Sequence, residues 1–295
     1  MIICPNCSST NFSETKSECN SCKWKPIERN GVLDYLSDYD RVSDQSQDYS
    51  KNYDDLAKKN IKRSNIDRTF LKNQSKNLMK YIGALKGKVV CEIGVGQGFL
   101  CEELIKSSAK SIIAVDIAIS YLKQFTKSKK IKPYLANAES LPFSNEFDLI
   151  VSTDCMEHVI NVGSYLYSAN RALKDGGLLA IRVPYREGLL EYSPHRKYPH
   201  KYGHLRSFNK DILKIYMEQA GFDMKSFHLD GYSLGSPHVW LYNKTWKKNL
   251  YHKLINFIQC RLNHPADATL INPFFAKLIM RPAEVVVVAK KIKNI

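Results

Sequence analysis

At 295 residues, 44% of them hydrophobic, the chain can bury one full core, and domain-size priors give one large domain with a small appendage. No run approaches the roughly 18 to 20 apolar residues that span a bilayer, and Met1–Pro5 lacks the charged and apolar regions of a signal peptide, so a cytosolic protein without a transmembrane segment is expected. The formal charge of +15 is large, and such a surface draws polyanions: RNA, anionic lipid head groups or phosphorylated small molecules.

The first 36 residues read as a unit of their own. Cys4, Cys7, Cys19 and Cys22 form two Cys-x2-Cys pairs with eleven residues between them, the spacing of one tetrahedral zinc held by four thiolates. So short a segment needs the metal to fold, and a closed four-cysteine site is structural. Cys91, Cys101, Cys155 and Cys260 stand alone in apolar or helical contexts and read as ordinary buried thiols of a reducing compartment. Residues 37–52, rich in Asp, Ser and Gln, read as a linker, and 53–295 as the main domain. A helical pattern follows from Tyr53 to Ile82, with Leu56, Ile61, Ile66, Phe70, Leu71, Leu78 and Tyr81 as its apolar stripe.

After Gly83, short apolar runs alternate with helical segments: Lys88–Ile93, Ser111–Asp116, Ile131–Leu135, Phe147–Ser152, Leu178–Val183, Phe222–Leu229 and Glu284–Ala289. Seven strands in this rhythm predict an α/β fold, a Rossmann-like doubly wound sheet. A mostly helical insertion, about 235–282, precedes the last strand. Within it Trp246, Leu250, Leu254, Phe257 and Ile258 share one face, and Lys247, Lys248 and Lys253 occupy the rest. This basic amphipathic helix, about 240–262, either caps the core or rests on the inner face of a membrane. From Leu241 to Ile295 ten Lys or Arg stand against Asp267 and Glu284, a net +8.

Val89 to Ile93 is a strand that runs into Gly94-Val95-Gly96-Gln97-Gly98 and opens a helix, Phe99–Lys106. Glycines suit a turn that a ligand approaches closely, whether that ligand is NAD, FAD, a nucleotide or another nucleoside. The sixth place, glycine in the dinucleotide fingerprint, is Phe99. About twenty residues on, the second strand ends in Asp116, a carboxylate placed to accept from two ribose hydroxyls.

With these two motifs the chain resembles the class I S-adenosylmethionine-dependent methyltransferases, of the ubiquinone/menaquinone type. Ala136-Asn137-Ala138-Glu139-Ser140-Leu141-Pro142-Phe143 is similar to the family's adenine-contacting loop, Phe147-Asp148-Leu149-Ile150 to its fourth strand, and Arg171 to Leu179 to its turn into the fifth. The resemblance implies that Glu92, Gly94, Gly96 and Gly98 wrap the methionine end of S-adenosylmethionine. It implies also that Asp116 and Ile117 hold the ribose, that Asn137 and Ala138 hold the adenine, and that Asp154 lies beside the cofactor. Asn137 departs from the family, which usually has Asp there.

Methyl transfer from a sulfonium requires alignment and removal of a proton from the acceptor, so a base is sought after the fourth strand. His158, with Glu157 beside it, supplies the imidazole. Asp154, Glu157 and His158 also resemble the metal-associated run of the ubiquinone-pathway O-methyltransferases, which implies divalent Mg2+ there. A second cluster follows strand five, where Arg182, Tyr185, Arg186 and Glu187 precede His195, His200 and His204. Of its histidines, His200 and His204 are expected to reach the acceptor.

The acceptor is either a small molecule or carbohydrate, lipid-linked forms included, or a structured rRNA or tRNA gripped by the ribbon and the basic C-terminal segment. The ribbon favours the first: Lys16, Lys23, Lys25 and Arg29 are offset by Glu14, Glu18 and Glu28, and no aromatics interleave with them. A non-catalytic cofactor-binding scaffold is the third reading, and it would lack the acceptor-side groups that crowd these loops.

Overall fold

The computed structural model describes residues 1–15, 17–62, 66–189, 203–231, 250 and 282–295. The strands are β1 (Ile27–Arg29), β2 (Val32–Asp34), β3 (Val89–Ile93), β4 (Ser111–Asp116), β5 (Ile131–Leu135), β6 (Phe147–Thr153), β7 (Leu173–Pro184), β8 (Phe222–Asp230) and β9 (Glu284–Lys291). They form one mixed sheet in the order β1-β2-β5-β4-β3-β6-β7-β9-β8. From β2 to β7 neighbours run parallel, and β9 enters antiparallel between β7 and β8.

The seven expected strands are therefore present, and β1 and β2 from the N-terminal unit extend the sheet beyond β5. Parallel strands are covered on both faces, which is why each reads as a nearly unbroken apolar run. Alternate residues go to opposite faces: Cys91, Ile93, Val115 and Ile150 face one buried layer, and Val90, Ala114, Leu149 and Val151 face the other. Each buried aliphatic side chain contributes on the order of 2 kcal/mol.

The helices are α1 (Asp38–Val42), α2 (Asp44–Ile61), α3 (Ile66–Met79), α4 (Phe99–Lys106), α5 (Ile119–Leu122), α6 (Val162–Ala172) and α7 (Lys210–Gln219). Residues 37–52, read as a linker, are helical instead. Ser37 and Asp40 form a reciprocal capping box at the start of α1, and the Ser43 hydroxyl accepts from Ser46 N to begin α2. The polar composition that suggested a linker is thus partly capping chemistry. The helical pattern expected from Tyr53 to Ile82 is carried by α2 and α3. After α6, which ends at Ala172, left-handed Gly176 lies within the irregular start of β7. No helix among the described residues is long and apolar enough to cross a membrane. The insertion about 235–282 lies outside the described residues except for Leu250 and Pro282, and so does nearly all of the basic helix.

The N-terminal unit is joined to the sheet by rings and by charge. Trp24, Tyr35, Tyr134, Phe143 and Phe147 form a continuous run with centroid separations of 5.3, 5.5, 5.2 and 5.0 Å. Asp34, wholly buried, accepts from Arg29 Nε at 2.7 Å, from Arg41 Nη2 at 3.2 Å and from Leu36 N at 3.0 Å. Removing this acceptor leaves the mostly buried Arg41 with the carbonyls of Lys25 and Asp34 and a long pair to Asp38, so Asp34→Ala should cost about 3 kcal/mol of stability in urea unfolding. By contrast, Lys58→Ala, which breaks ion pairs of the solvent-exposed Lys58 with Asp54 and Asp55, should shift the midpoint little.

Candidate functional site

A cavity of about 520 Å³ opens at the carboxyl ends of the central strands. Its floor is the turn after β3, its flanks are Asp116 at the end of β4 and Asn137 after β5, and its far end is Asp154, Cys155 and His158 after β6. Tyr49, Tyr53, Leu56 and Asn60 of α2 roof it. Their spacing of four, three and four residues is one helical face.

The floor has the shape a close-approaching ligand needs. A Cβ at Gly96 would project into open space, whereas one at Gly94 would come within 2.9 Å of the Cys155 Cβ. Both adopt positive φ. Gly96 N donates to Asp116 Oδ2 at 3.1 Å, and Ala118 N donates to Oδ1 at 2.8 Å. Burial pushes the Asp116 carboxyl up to about 6 despite these donors. Glu92, 1% exposed, leaves Oε2 without a partner, and burial pushes its carboxyl up to about 8. A cradle open at Gly96, a ribose-type carboxylate and an unsatisfied buried acid together fit the nucleoside and cationic amino-acid ends of S-adenosylmethionine.

At the far end Asp154 adopts φ 51°, uncommon for a residue with a side chain. Its N–H donates to Arg182 O at 3.0 Å, and its carboxylate pairs with the buried Arg182 guanidinium. Glu157 is fully buried with neither carboxylate oxygen bonded, and burial holds its carboxyl far above the usual range. His158 Nδ1 lies 3.2 Å from Gly203 O, and its ring meets the His204 ring edge-on at 4.6 Å. Burial, then the nearby His204, pushes His158 down to about 4, so it is neutral at pH 7. His204 Nδ1 contacts the Glu187 carboxylate.

The Mg2+ set expected at Asp154, Glu157 and His158 does not assemble. Asp154 is engaged by Arg182, and the donors that converge within 4.8 Å are Glu157, His158 and His204. Two imidazoles and one carboxylate are a poor match for an ion that takes oxygen ligands. No step is derived through Mg2+.

At the N-terminus the two cysteine pairs fold alike. Ser8 and Lys23, each just after the second cysteine of its pair, have φ 57° and 64° and donate to the carbonyls of Cys4 and Cys19 at 2.9 and 2.8 Å. The four sulfurs lie within 4.8 Å of one another, with Cys4–Cys22 at 3.5 Å and Cys7–Cys19 at 3.7 Å. A Zn–S bond of about 2.3 Å implies a tetrahedral edge of about 3.8 Å, so the sulfurs fit zinc.

Glu92, Gly94, Gly96, Gly98, Asp116, Ile117, Asn137, Ala138, Asp154 and His158 all line the cavity, Glu157 and His204 adjoin it through His158, and the four cysteines converge elsewhere. His200 and His195 lie outside the described residues. Arg182, expected in the cluster after strand five, also lines the cavity, whereas the α2 roof was not expected; the stripe at 49, 53, 56 and 60 was the available signal. Glu92 generates a prediction. Its folded pKa is raised above the unfolded value near 4.5, so its share of stability is present below that value and lost as pH rises through about 8. The ligand-free protein should lose several degrees of Tm between pH 6.5 and 9, and Glu92→Gln should remove that part of the slope.

Residues 43–226, more than half of the chain, match the family model described as a methyltransferase domain. An S-adenosylmethionine-dependent methyltransferase of Mycobacterium tuberculosis strain H37Rv is 29% identical over 137 residues, covering 45% of this chain and 48% of that one. A ubiquinone biosynthesis O-methyltransferase of Bradyrhizobium diazoefficiens is 30% identical over 108 residues, covering 35% and 42%. The chain thus matches about half, or less, of the length of these relatives. Among solved structures, one chain comes from the complex between the Haloferax volcanii Trm112 methyltransferase activator and a methyltransferase. It matches at a TM-score of 0.55 and 12% identity, covering 83% of this chain and 97% of that one. A methyltransferase of Bacillus halodurans C-125 matches at 0.50 and 17%, covering 75% and 100%. At these identities the structural likeness is one of fold. Strand order, glycine turn and family match agree: the chain belongs to the methyltransferase-domain family, on the class I S-adenosylmethionine-dependent fold.

Proposed function

We propose that the chain is an S-adenosylmethionine-dependent methyltransferase acting on an oxygen of a small-molecule or carbohydrate acceptor, lipid-linked acceptors included. The observation that carries the reading is one cavity with the Gly94–Gly98 turn and Asp116 at one end and a neutral, buried His158 at the other. Its volume of about 520 Å³ suits a cofactor and a modest acceptor group.

When bound, the sulfonium supplies the methyl group. The backbone around Gly96 and the Glu92 carboxylate hold the amino-acid end, Asp116 holds two ribose hydroxyls, and Asn137 and Ala138 meet the base. The α2 tyrosines keep water from the reacting atoms. The Gly203 carbonyl sets the position of the His158 ring. Because Gly203 O can only accept, Nδ1 of His158 carries the hydrogen and Nε2 keeps its lone pair.

That basicity favours a hydroxyl over an alkylammonium acceptor. An imidazole titrating near 4 cannot keep an alkylammonium, with a pKa of about 10, deprotonated before attack. A hydroxyl becomes strongly acidic as its oxygen is alkylated, and a weak base suffices to take that proton late in the step. Hydrogen bonding to Glu187 fixes the neighbouring His204 against the same site. Zinc at Cys4, Cys7, Cys19 and Cys22 is structural in this reading. The alternative RNA acceptor draws its support from basic residues of 241–295, most of which lie outside the described residues.

The reading is tested by incubating zinc-loaded protein with 13C-methyl-labelled S-adenosylmethionine and hydroxylated acceptors, with mass spectrometry as readout. His158→Gln should lower kcat by about 10²–10⁴ while cofactor affinity stays near that of the parent. Undiminished turnover in the variant would remove His158 as the base, and transfer only to amines would overturn the assignment to oxygen.

A further inference from the structure

We propose that Asp40, from the N-terminal segment, is a positioning residue for the adenine end of the cofactor site and the reason that position 137 is asparagine. The inference rests on the cofactor reading above. With the ribose at Asp116 on β4 and the amino-acid end over the β3 turn, the base must lie beyond β4, over the Asn137 turn that follows β5.

The Asn137 amide is held at both of its polar atoms. Nδ2 donates to Asp40 Oδ1 at 2.9 Å, and Oδ1 accepts from Glu139 N at 3.0 Å. Asp40 is itself fixed: it is 7% exposed, and its Oδ2 accepts from Ser37 N at 3.2 Å and Ser37 Oγ at 2.6 Å. A carboxylate only accepts, so the amide nitrogen is bound to the Asp40 side. Nδ2 keeps one further N–H and the oxygen keeps a lone pair; in this proposal the oxygen meets the base, where an acceptor selects the 6-amino group of adenine over a 6-oxo group. Aspartate at 137 would also present an acceptor, but it would set a second carboxylate at hydrogen-bond distance from Asp40 in a nearly buried position, where both cannot comfortably ionise. Asp40 and Asn137 therefore act as a pair.

The test is a cycle of parent, Asp40→Asn, Asn137→Asp and the double variant, all zinc-loaded. Each is read by Tm without ligand and by calorimetric affinity for S-adenosylhomocysteine and S-inosylhomocysteine. Asn137→Asp should lower Tm by about 4 °C and weaken S-adenosylhomocysteine by about tenfold, and the double variant should recover most of both. Asp40→Asn frees the amide to turn, so its preference for the adenosyl over the inosyl ligand should narrow by about threefold or more. A merely structural Asp40 would lower Tm and leave that preference unchanged, which would overturn the proposal. So would an Asn137→Asp variant that binds more tightly than the parent, or a double variant no better than Asn137→Asp. A parent protein that binds neither ligand would instead remove the methyltransferase reading, and the adenine role with it.

Discussion

The hydrogen bond from Gly96 N–H to the Asp116 carboxylate is the contact on which the cavity depends. It ties the turn after β3 to the end of β4, two neighbouring parallel strands, and so fixes the glycine backbone and the carboxylate in one frame. Both features follow from the sheet. Parallel strands deliver their carboxyl ends to one edge, and the loops leaving that edge carry the polar groups that the buried strands cannot hold. Asp116 and Glu92 are kept there under burial strong enough to raise both acids. Such destabilised groups are retained where a ligand compensates them.

The N-terminal segment is part of this architecture rather than an appendage beside it. Its hairpin continues the sheet past β5, and its rings run into the core through Tyr134 and Phe147. Contacts lead stepwise from the cysteine knuckles to the cavity. Asn6 Oδ1, in the first knuckle, accepts from Asp38 N at the start of α1, and Asp40 of the same helix holds Asn137. A metal at the sulfurs would therefore stabilise a segment that reaches the site without touching the reacting atoms. The division into a ribbon of 1–36 and a main domain from 53 is best kept as a proposal about folding units, since α1 and α2 join the two.

Much of this was legible in the sequence because it is local. The seven core strands, the glycine turn, Asp116 and the paired cysteines are each written in consecutive residues or short spacings, and their positions agree with expectation to within a few residues at most boundaries. What was not legible depends on partners far along the chain. The stretch 37–52 looks like a linker because its helices are held by capping and by Tyr49 and Tyr53 packing against the His158 turn, which composition does not reveal. Asn137 read only as a departure from the family's Asp because its partner, Asp40, lies 97 residues away. The expected Mg2+ set failed for a similar reason: Arg182, from the next strand, takes the carboxylate of Asp154.

The occupant of the carboxyl-end cavity decides the function. The most direct measurement is calorimetric titration of the folded, zinc-loaded protein with S-adenosylmethionine, beside the same titration of Asp116→Ala. Micromolar binding by the parent and loss of that binding in the variant are expected. No binding by the folded parent, or equal affinity in the variant, would contradict the cofactor reading.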